Sequence, residues 1–267
     1  MNVIRLSVIM GIYNCSKTLA EALDSLLAQT YPAFKVIMCD DGSSDNTIEV
    51  AQSYVDRFPD QFILIKNERN MGLNHTLNCC LEYADTEYVA RMDGDDISLP
   101  ERFEKEIVFL DTHPDFAIVS TPMIYFDEKG EFRRGRGGKA PELNDFIKGT
   151  PFCHAPCMVR REAYVAVKGY TVDPKLLRVE DYHLWFKMYA AGFRGYVLEE
   201  PYYAMRDDRD AIKRRTFRNR LNEIRVRRIG FRMLEIPWYK YVYIFRPLVA
   251  YIAPMWAYNL YHRKINR

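Results

Sequence analysis

Through its first hundred residues the chain alternates two hydrophobic patterns: short, nearly unbroken apolar runs, and segments in which apolar residues return every three or four positions. Leu6 to Ile12 reads as a buried strand, and Leu19, Ala22, Leu23, Leu26 and Leu27 recur at helical spacing before a stop at Thr30, Tyr31 and Pro32. Val36 to Cys39 is a second strand; Ile48, Ala51, Val55 and Phe58 mark a second helix ended by Pro59. Phe62 to Ile65 predicts a third strand, His75 to Ala84 a third helix and Tyr88 to Met92 a fourth strand. Strands alternating with single helices predict an α/β protein with a mainly parallel sheet covered on both faces. In such sheets ligands sit beyond the carboxyl ends of the strands. After Pro100 the regularity loosens into a Gly- and Arg-rich loop from Arg133 to Lys139, an apolar segment from Phe152 to Val159, and a helix from Asp181 to Ala191 stopped by Gly192.

The predicted carboxyl ends hold the unusual residues: Gly11, Ile12, Tyr13 and Asn14 after the first strand, Asp40, Asp41, Gly42, Ser43, Ser44 and Asp45 after the second, and Asp93, Gly94, Asp95 and Asp96 after the fourth. Two carboxylates separated by one Gly form a hard-oxygen site for a divalent cation, which would also hold phosphate oxygens. The competing reading is a turn solvated by acidic residues. Ser44 or Asp45 can cap the helix that follows, but capping does not explain Asp40 and Asp41 at the end of an apolar strand, where a nucleobase N–H is a natural partner. Tyr13 is either a core-edge aromatic or a face on which a base stacks. Asp181, preceded by Glu180, is either a helix N-cap or a general base at the rim of the same crevice. His154, in PFCHAP, stands open between a ligand or acceptor contact and a packed imidazole.

Composition narrows the classes. With 267 residues, 48% hydrophobic and 28% charged, the chain has ample material for a large core, which excludes disordered and collagenous classes. The six Cys, at 15, 39, 79, 80, 153 and 157, follow neither a disulfide framework nor a zinc spacing and read as reduced thiols. MNVIRLSVIMGIYN lacks a cleavage site, so a cytoplasmic protein is expected. G-x-G-x-x-G after the first strand, a P-loop, an EF-hand loop, a G-x-S-x-G elbow and H-E-x-x-H are all absent, which disfavours dehydrogenase, P-loop, calcium-binding, serine-hydrolase and zinc-protease chemistry.

Charge is divided unevenly. From Arg206 to Arg267 there are 16 Lys and Arg against five Asp and Glu, while the first 205 residues hold 22 against 31. An acidic body with a basic tail predicts a polyanion partner for the tail. Lys213, Arg214, Arg215, Arg218, Arg220, Arg225, Arg227 and Arg228 crowd one helical stretch, followed by Trp238, Tyr239, Tyr241, Tyr243 and Phe245. Basic helix followed by aromatics reads as an interfacial element on anionic lipid; nucleic acid is disfavoured because the aromatics follow the Arg cluster instead of interleaving with it. The uncharged stretch from Pro247 to Tyr261 is 15 residues long, short of a membrane span.

SVIMGIYN, SLLAQTYPAFKVIMCDDGSSDNT, NMGLNHTLN, EYVARMDGDDISLPERF, VEDYHLWFKMYAAGF and PYYAMR, in this order over residues 5 to 206, resemble the family 2 glycosyltransferases. SVIMGIYNC, the ARMDGDD block, KGTPFCH and the basic aromatic tail are similar to the EpsE-type exopolysaccharide glycosyltransferases of bacterial biofilm operons. The resemblance implies the GT-A fold, a Rossmann-like sheet with helices on both faces. It implies a nucleotide-sugar-binding half over residues 1–97, an acceptor-binding and catalytic half of the same domain over 98–206, and a membrane-interfacial helical tail over 207–267.

By the same resemblance Ile12, Tyr13, Asp40 and Asp41 match base-binding positions, Asp93, Gly94 and Asp95 the metal and ribose-phosphate motif with Asp95 as direct ligand, and Arg206 a contact to the diphosphate. Asp181 matches the catalytic base, with Glu180, His154 and Asp96 as acceptor-side or secondary positions. The implied reaction is inverting transfer from a nucleotide-sugar, UDP-sugar favoured, to a hydroxyl of a lipid-linked glycan, with Mn2+ or Mg2+ as cofactor. None of Trp185, Trp238 and Trp256 follows an Arg, so the Q-x-x-R-W of processive relatives is missing and a single-sugar transfer is expected. The implied place is the inner face of the cell membrane, and a flagellar rotor protein is implied as an alternative or additional partner.

Overall fold

In β1 (Leu6–Ile12), Leu6, Val8, Met10 and Ile12 enter one core and Ile9 the other, so the strand is buried on both faces. A computed structural model describes residues 3–207 and 216–252. After β1 come α1 (Leu19–Leu27), β2 (Phe34–Asp40), α2 (Thr47–Arg57), β3 (Phe62–Lys66), α3 (Leu73–Tyr83), β4 (Tyr88–Arg91), β5 (Ile97–Ser98) and α4 (Arg102–Thr112). Then follow β6 (Ile118–Ser120), β7 (Met123–Asp127), β8 (Gly130–Arg134), α5 (Leu143–Lys148), β9 (Met158–Arg160), α6 (Arg161–Ala166), α7 (Glu180–Ala190), β10 (Gly195–Val197) and β11 (Tyr203–Arg206). The chain continues through α8 (Phe217–Met233), a 3-10 helix (Trp238–Phe245) and α9 (Arg246–Ile252).

The seven-stranded sheet runs β10-β6-β9-β4-β1-β2-β3, with every neighbouring pair parallel except those of β9, which is antiparallel to both β4 and β6. Helices cover both faces: α1, α2 and α4 pack into one core, α3, α6 and α7 into the other. The expected α/β architecture therefore holds, and strands from residues 98–206 complete the sheet begun by the first half.

A second sheet, β5-β11-β7-β8, has no counterpart in the sequence reading. Arg133 and Arg134 belong to its edge strand β8 and pair with Tyr125 and Ile124, so the loop expected from Arg133 begins only at Gly135. α8 returns to the body through Val226 and Phe231, and at Gly230 a Cβ would stand 2.2 Å from the Phe186 ring of α7. Only glycine lets the two helices approach so closely.

The basic tail departs from expectation in part. Arg227 is buried, its guanidinium donating to the carbonyls of Ile147 (2.7 Å) and Lys148 (3.4 Å) and lying over the Tyr182 ring. Arg220 pairs with Glu223 at 2.6 Å. Arg227 anchors α8 to the body, because a buried guanidinium has to be matched by acceptors, whereas the Arg220 pair lies within the helix. Lys213, Arg214, Arg215, Trp256 and the part of the uncharged stretch beyond residue 252 lie outside the described residues.

Candidate active site

β4 leads through Met92 into the turn Asp93, Gly94, Asp95 and Asp96, which is held from two sides. The Tyr203 phenol on β11 donates to Asp96 Oδ2 (2.9 Å) and accepts the Asp93 N–H (3.2 Å), and the Arg206 N–H donates to Asp96 Oδ1 (2.9 Å). The buried Arg91 donates to Asp93 Oδ1. A Cβ on Gly94 would stand 2.8 Å from Cys15 Sγ, so glycine alone lets the turn press against the segment after β1.

One oxygen each from Asp93, Asp95 and Asp96 lies within 4.8 Å of the others. Asp96 is buried with both oxygens bonded, and Asp93 is tied to Arg91. Asp95 is exposed and makes no side-chain hydrogen bond to another residue among the described residues. Although Asp95 is exposed as a residue, partial desolvation of its carboxyl within the turn and then the charge of Asp93 raise its pKa, and burial with both neighbours pushes Asp96 up to about 8. A close set of carboxylates with more negative charge than its surroundings offset fits a hard divalent cation.

Two adjoining cavities open before this turn. The larger, about 550 Å³, is lined by Asp93, Gly94, Asp95, Lys17, Thr18, Asp45 and Arg206 among others; the smaller, about 340 Å³, by Ile12, Asp41, Gly72, Thr76, Leu177, Arg178 and Glu180 among others. Gly11 and Tyr13 line both, with the Tyr13 ring half exposed at the junction. Arg206 reaches the larger cavity with its Nε on the Asp95 carbonyl (3.1 Å) and its guanidinium over Phe126.

The loop after β2 is built on its two carboxylates. Asp40 Oδ2 accepts the N–H groups of Gly42 and Ser43, both at 3.0 Å, and Asp40 lines neither cavity. Asp41 Oδ1 accepts from Asn67 Nδ2 (2.9 Å) and the Met71 N–H (2.7 Å), and its Oδ2 from the Gly72 N–H (2.9 Å), pinning the far wall of the smaller cavity. Asp45 accepts the Thr47 N–H at the start of α2 and also joins the β1 end through Ser16 Oγ (2.7 Å); Thr47 and then Ser16 hold its carboxyl down at about 2.

The N-cap of α7 is Val179, which removes the capping reading of Asp181 and leaves it in the first helical turn, where backbone N–H groups favour a carboxylate. Asp181 is half-buried, Thr150 Oγ1 lies 3.5 Å from its Oδ2, and burial followed by the charge of Glu180 pushes its carboxyl up to about 6. Glu180 Oε2 is buried without a hydrogen-bond partner among the described residues. His154 Nε2 is 2.8 Å from the Tyr170 phenol and the ring meets Trp185 edge-on; burial and then the charge of Arg91 hold the imidazole neutral, which is the packed alternative.

Arg91 joins these groups and was not singled out in the sequence. Burial is the strongest influence and opposes its charge, but Asp93 together with Tyr170, Tyr203 and Asp96 outweighs it and keeps it protonated; the same guanidinium acts on Asp95, His154 and Asp181. Its signal was available: a cation inside the apolar strand Tyr88 to Met92 needs a buried anion. Tyr203 and Lys17 gave no pattern to read, and Arg178, at φ 67°, shows its left-handed backbone only in three dimensions.

A family model described as glycosyl transferase family 2 matches residues 7–167. EpsE of Bacillus subtilis (strain 168), itself a proposed glycosyltransferase, is 42% identical over 264 residues, 97% of this chain and 94% of the relative. The amylovoran biosynthesis glycosyltransferase AmsE of Erwinia amylovora is 31% identical, over 78% of this chain and 79% of the relative. WfaP of Escherichia coli, named a UDP-Glc:alpha-D-GlcNAc-diphosphoundecaprenol beta-1,3-glucosyltransferase, is 29% identical, over 70% and 71%.

Among solved structures, S. aureus TarS 1-349 in complex with UDP is similar with a TM-score of 0.69 and 22% identity, covering 91% of this chain and 69% of that one. The Pyrobaculum calidifontis mannosyltransferase PcManGT, in complex with GDP-Man and Mn2+, is similar with a TM-score of 0.66 and 18% identity, covering 99% and 80%. At these identities the likeness establishes the GT-A fold. With the family match spanning the strands that carry the acidic turn and a relative aligned over nearly the whole chain, this protein belongs to glycosyl transferase family 2 and is a glycosyltransferase.

Proposed function

We propose that the protein is an inverting, metal-dependent, non-processive transferase that moves a sugar from a UDP-sugar to a hydroxyl of a lipid-linked glycan in bacterial exopolysaccharide synthesis. The observation that carries this reading is the free carboxylate of Asp95, which faces a cavity also lined by Arg206 and Lys17 and continuous, through Gly11 and Tyr13, with a narrower one bounded by Ile12 and Asp41. The larger space suits a diphosphate and the smaller a base. UDP as nucleotide and a diphosphoundecaprenol-linked acceptor are supported by the substrates in the name of WfaP, and UDP also by the ligand of TarS.

Asp95, with Asp93 beside it, would hold Mn2+ or Mg2+, and PcManGT with Mn2+ supports that choice. When bound, such a cation supplies charge neutralisation for a diphosphate leaving group. Arg206 adds a fixed positive charge on the same side, Tyr13 offers a ring face to the base, and Asp41 keeps the base-side wall in place. Asp181 takes the proton of the incoming hydroxyl onto a carboxylate oxygen, with Glu180 beside it on the acceptor side. One displacement without a protein nucleophile inverts the anomeric centre.

The reading is tested by calorimetric titration of UDP with Mn2+ or Mg2+, with chelator, and with Asp95→Ala. Metal-dependent binding lost with chelator and in the variant is expected. No UDP binding by the folded protein, or binding indifferent to metal and to Asp95, overturns it.

A further inference from the structure

We propose that the C-terminal helical hairpin, α8 followed by the 3-10 helix and α9, is a docking face for an anionic lipid bilayer. The returning arm is apolar on both sides, one side packed on the body and the other left in water. Its inward positions, Ile236, Tyr241 and Ile244, join the core, Tyr241 meeting the Phe231 ring edge-on. Its outward positions are Trp238, Tyr239, Val242, Tyr243, Phe245 and Val249, of which Trp238 is 84% and Val242 67% exposed. An aromatic and aliphatic row of this kind, left in water, is the signature of an interaction surface.

The companion helix supplies the charge. Arg218, Leu221, Arg225, Arg228 and Arg232 of α8 are all exposed and follow one another at intervals of three or four residues, so they form a single stripe along a helix of 17 residues. The two rows meet where Phe217, at the start of α8, touches Tyr251 near the end of α9, both exposed. Amphipathic aromatics beside a row of guanidinium groups match the two layers of an anionic lipid surface: rings at the headgroup and acyl boundary, cations on the phosphates.

The hairpin also bears on the site. Arg227 and Arg246 both donate to the Lys148 carbonyl, two residues before the Thr150 that faces Asp181. Asn222 donates to the Leu177 carbonyl (3.1 Å) and Arg225 to that of Lys175 (3.4 Å), on the segment that leads into Glu180 and Asp181. A bilayer on the hairpin therefore lies next to the segments that flank Asp181, where a lipid-linked acceptor has to arrive. That last step rests on the function proposed above, whereas lipid binding does not.

The test is co-sedimentation of the full chain with vesicles of phosphatidylglycerol and phosphatidylcholine, and of phosphatidylcholine alone, with UDP titration run in parallel. The wild type is expected to partition into anionic vesicles at least about ten-fold better than into neutral ones, with a blue shift of Trp emission, and to be released by salt. Trp238→Ser/Tyr239→Ser/Val242→Ser is expected to lose binding about ten-fold, and Arg218→Gln/Arg228→Gln/Arg232→Gln to lose the preference for anionic lipid. Both variants should titrate with UDP as the wild type does. Failure of the wild type to bind vesicles overturns the proposal and leaves the face to a protein partner, such as a flagellar rotor component. Binding unchanged in both variants also overturns it, since other residues would then carry it. Vesicle binding without UDP binding sinks the donor reading and leaves this inference standing.

Discussion

Tyr203 and Asp96, 107 residues apart, share a 2.9 Å hydrogen bond, and the same phenol oxygen accepts the backbone N–H of Asp93 at 3.2 Å. One hydroxyl thus fixes both ends of the acidic turn. Tyr203→Phe keeps the ring under the Arg102 guanidinium but leaves a buried carboxylate oxygen and a backbone donor short of a partner. A loss of about 1–3 kcal/mol in urea unfolding is expected, with weaker metal-dependent UDP binding. Unchanged stability and unchanged binding would show that the bond contributes nothing.

As the proposed base, Asp181 should couple pH to activity as well as to stability. Its carboxyl, pushed up to about 6 by burial and by Glu180, is raised above the ordinary value of 3.8, so the folded state binds this proton more tightly than the unfolded one. The stabilisation from that proton is present at low pH and is lost as pH rises through about 6. Asp181→Asn is therefore expected to raise Tm at pH 7, by an amount that shrinks towards pH 4. The same variant should lower kcat by about 10²–10⁴-fold with UDP binding intact, while the wild-type rate falls below about pH 6. A wild-type rate flat down to pH 5 would remove Asp181 as the base.

Gly94 and Cys15 make a pair for a double-mutant cycle. Gly94→Ala sets a methyl 2.8 Å from Cys15 Sγ, and its other neighbours, Ile12 and Leu19, are at an ordinary 3.5 Å. The single variant should displace the acidic turn and weaken metal-dependent UDP binding. Cys15→Ala, which removes the sulfur, should restore most of it, an interaction of about 0.5–3 kcal/mol by the cycle. Additive losses would mean that the close approach is irrelevant.

Beneath the turn, Arg102 and Glu106 form an ion pair shut off from solvent, and Arg102 Nη2 donates to the Arg91 carbonyl at 2.9 Å. Glu106→Ala strands a buried guanidinium and should cost about 3–5 kcal/mol in denaturant unfolding, whereas Glu106→Gln should cost less. Equal, small losses in the two variants would show that Arg102 is neutralised by other means.

The doubly covered sheet could be read from the sequence because Leu6 to Ile12 and Val36 to Cys39 are apolar on both sides and the helices between them keep a regular period. The acidic turn and the Asp40 and Asp41 loop were visible because carboxylates at the end of apolar strands need a reason. Legibility ended where structure depends on pairing across distance. β5 has two residues and β8 is exposed throughout, so neither carries a hydrophobic pattern, and their sheet exists only because β11 and β7 lie between them. The sequence could not tell Asp40, which braces its own loop, from Asp41, which borders a cavity, since both end the same strand. Likewise Arg227, buried, and Arg228, exposed, are adjacent in sequence and differ only in the face of α8 they occupy.

β9 sits antiparallel between β4 and β6, and this governs how the protein can be made. When a ribosome has delivered β1 to β4, the sheet ends in an open edge that nothing synthesised so far fills in the native arrangement. Its partner, Met158–Arg160, emerges only about seventy residues later, several seconds at ordinary rates of synthesis. During that interval the nascent chain carries an apolar strand with unpaired backbone groups, the kind of edge that recruits other chains. Newly made protein should therefore depend on chaperones more than its final stability suggests, and fragments that stop before residue 158 should aggregate instead of folding as a separate nucleotide-binding half.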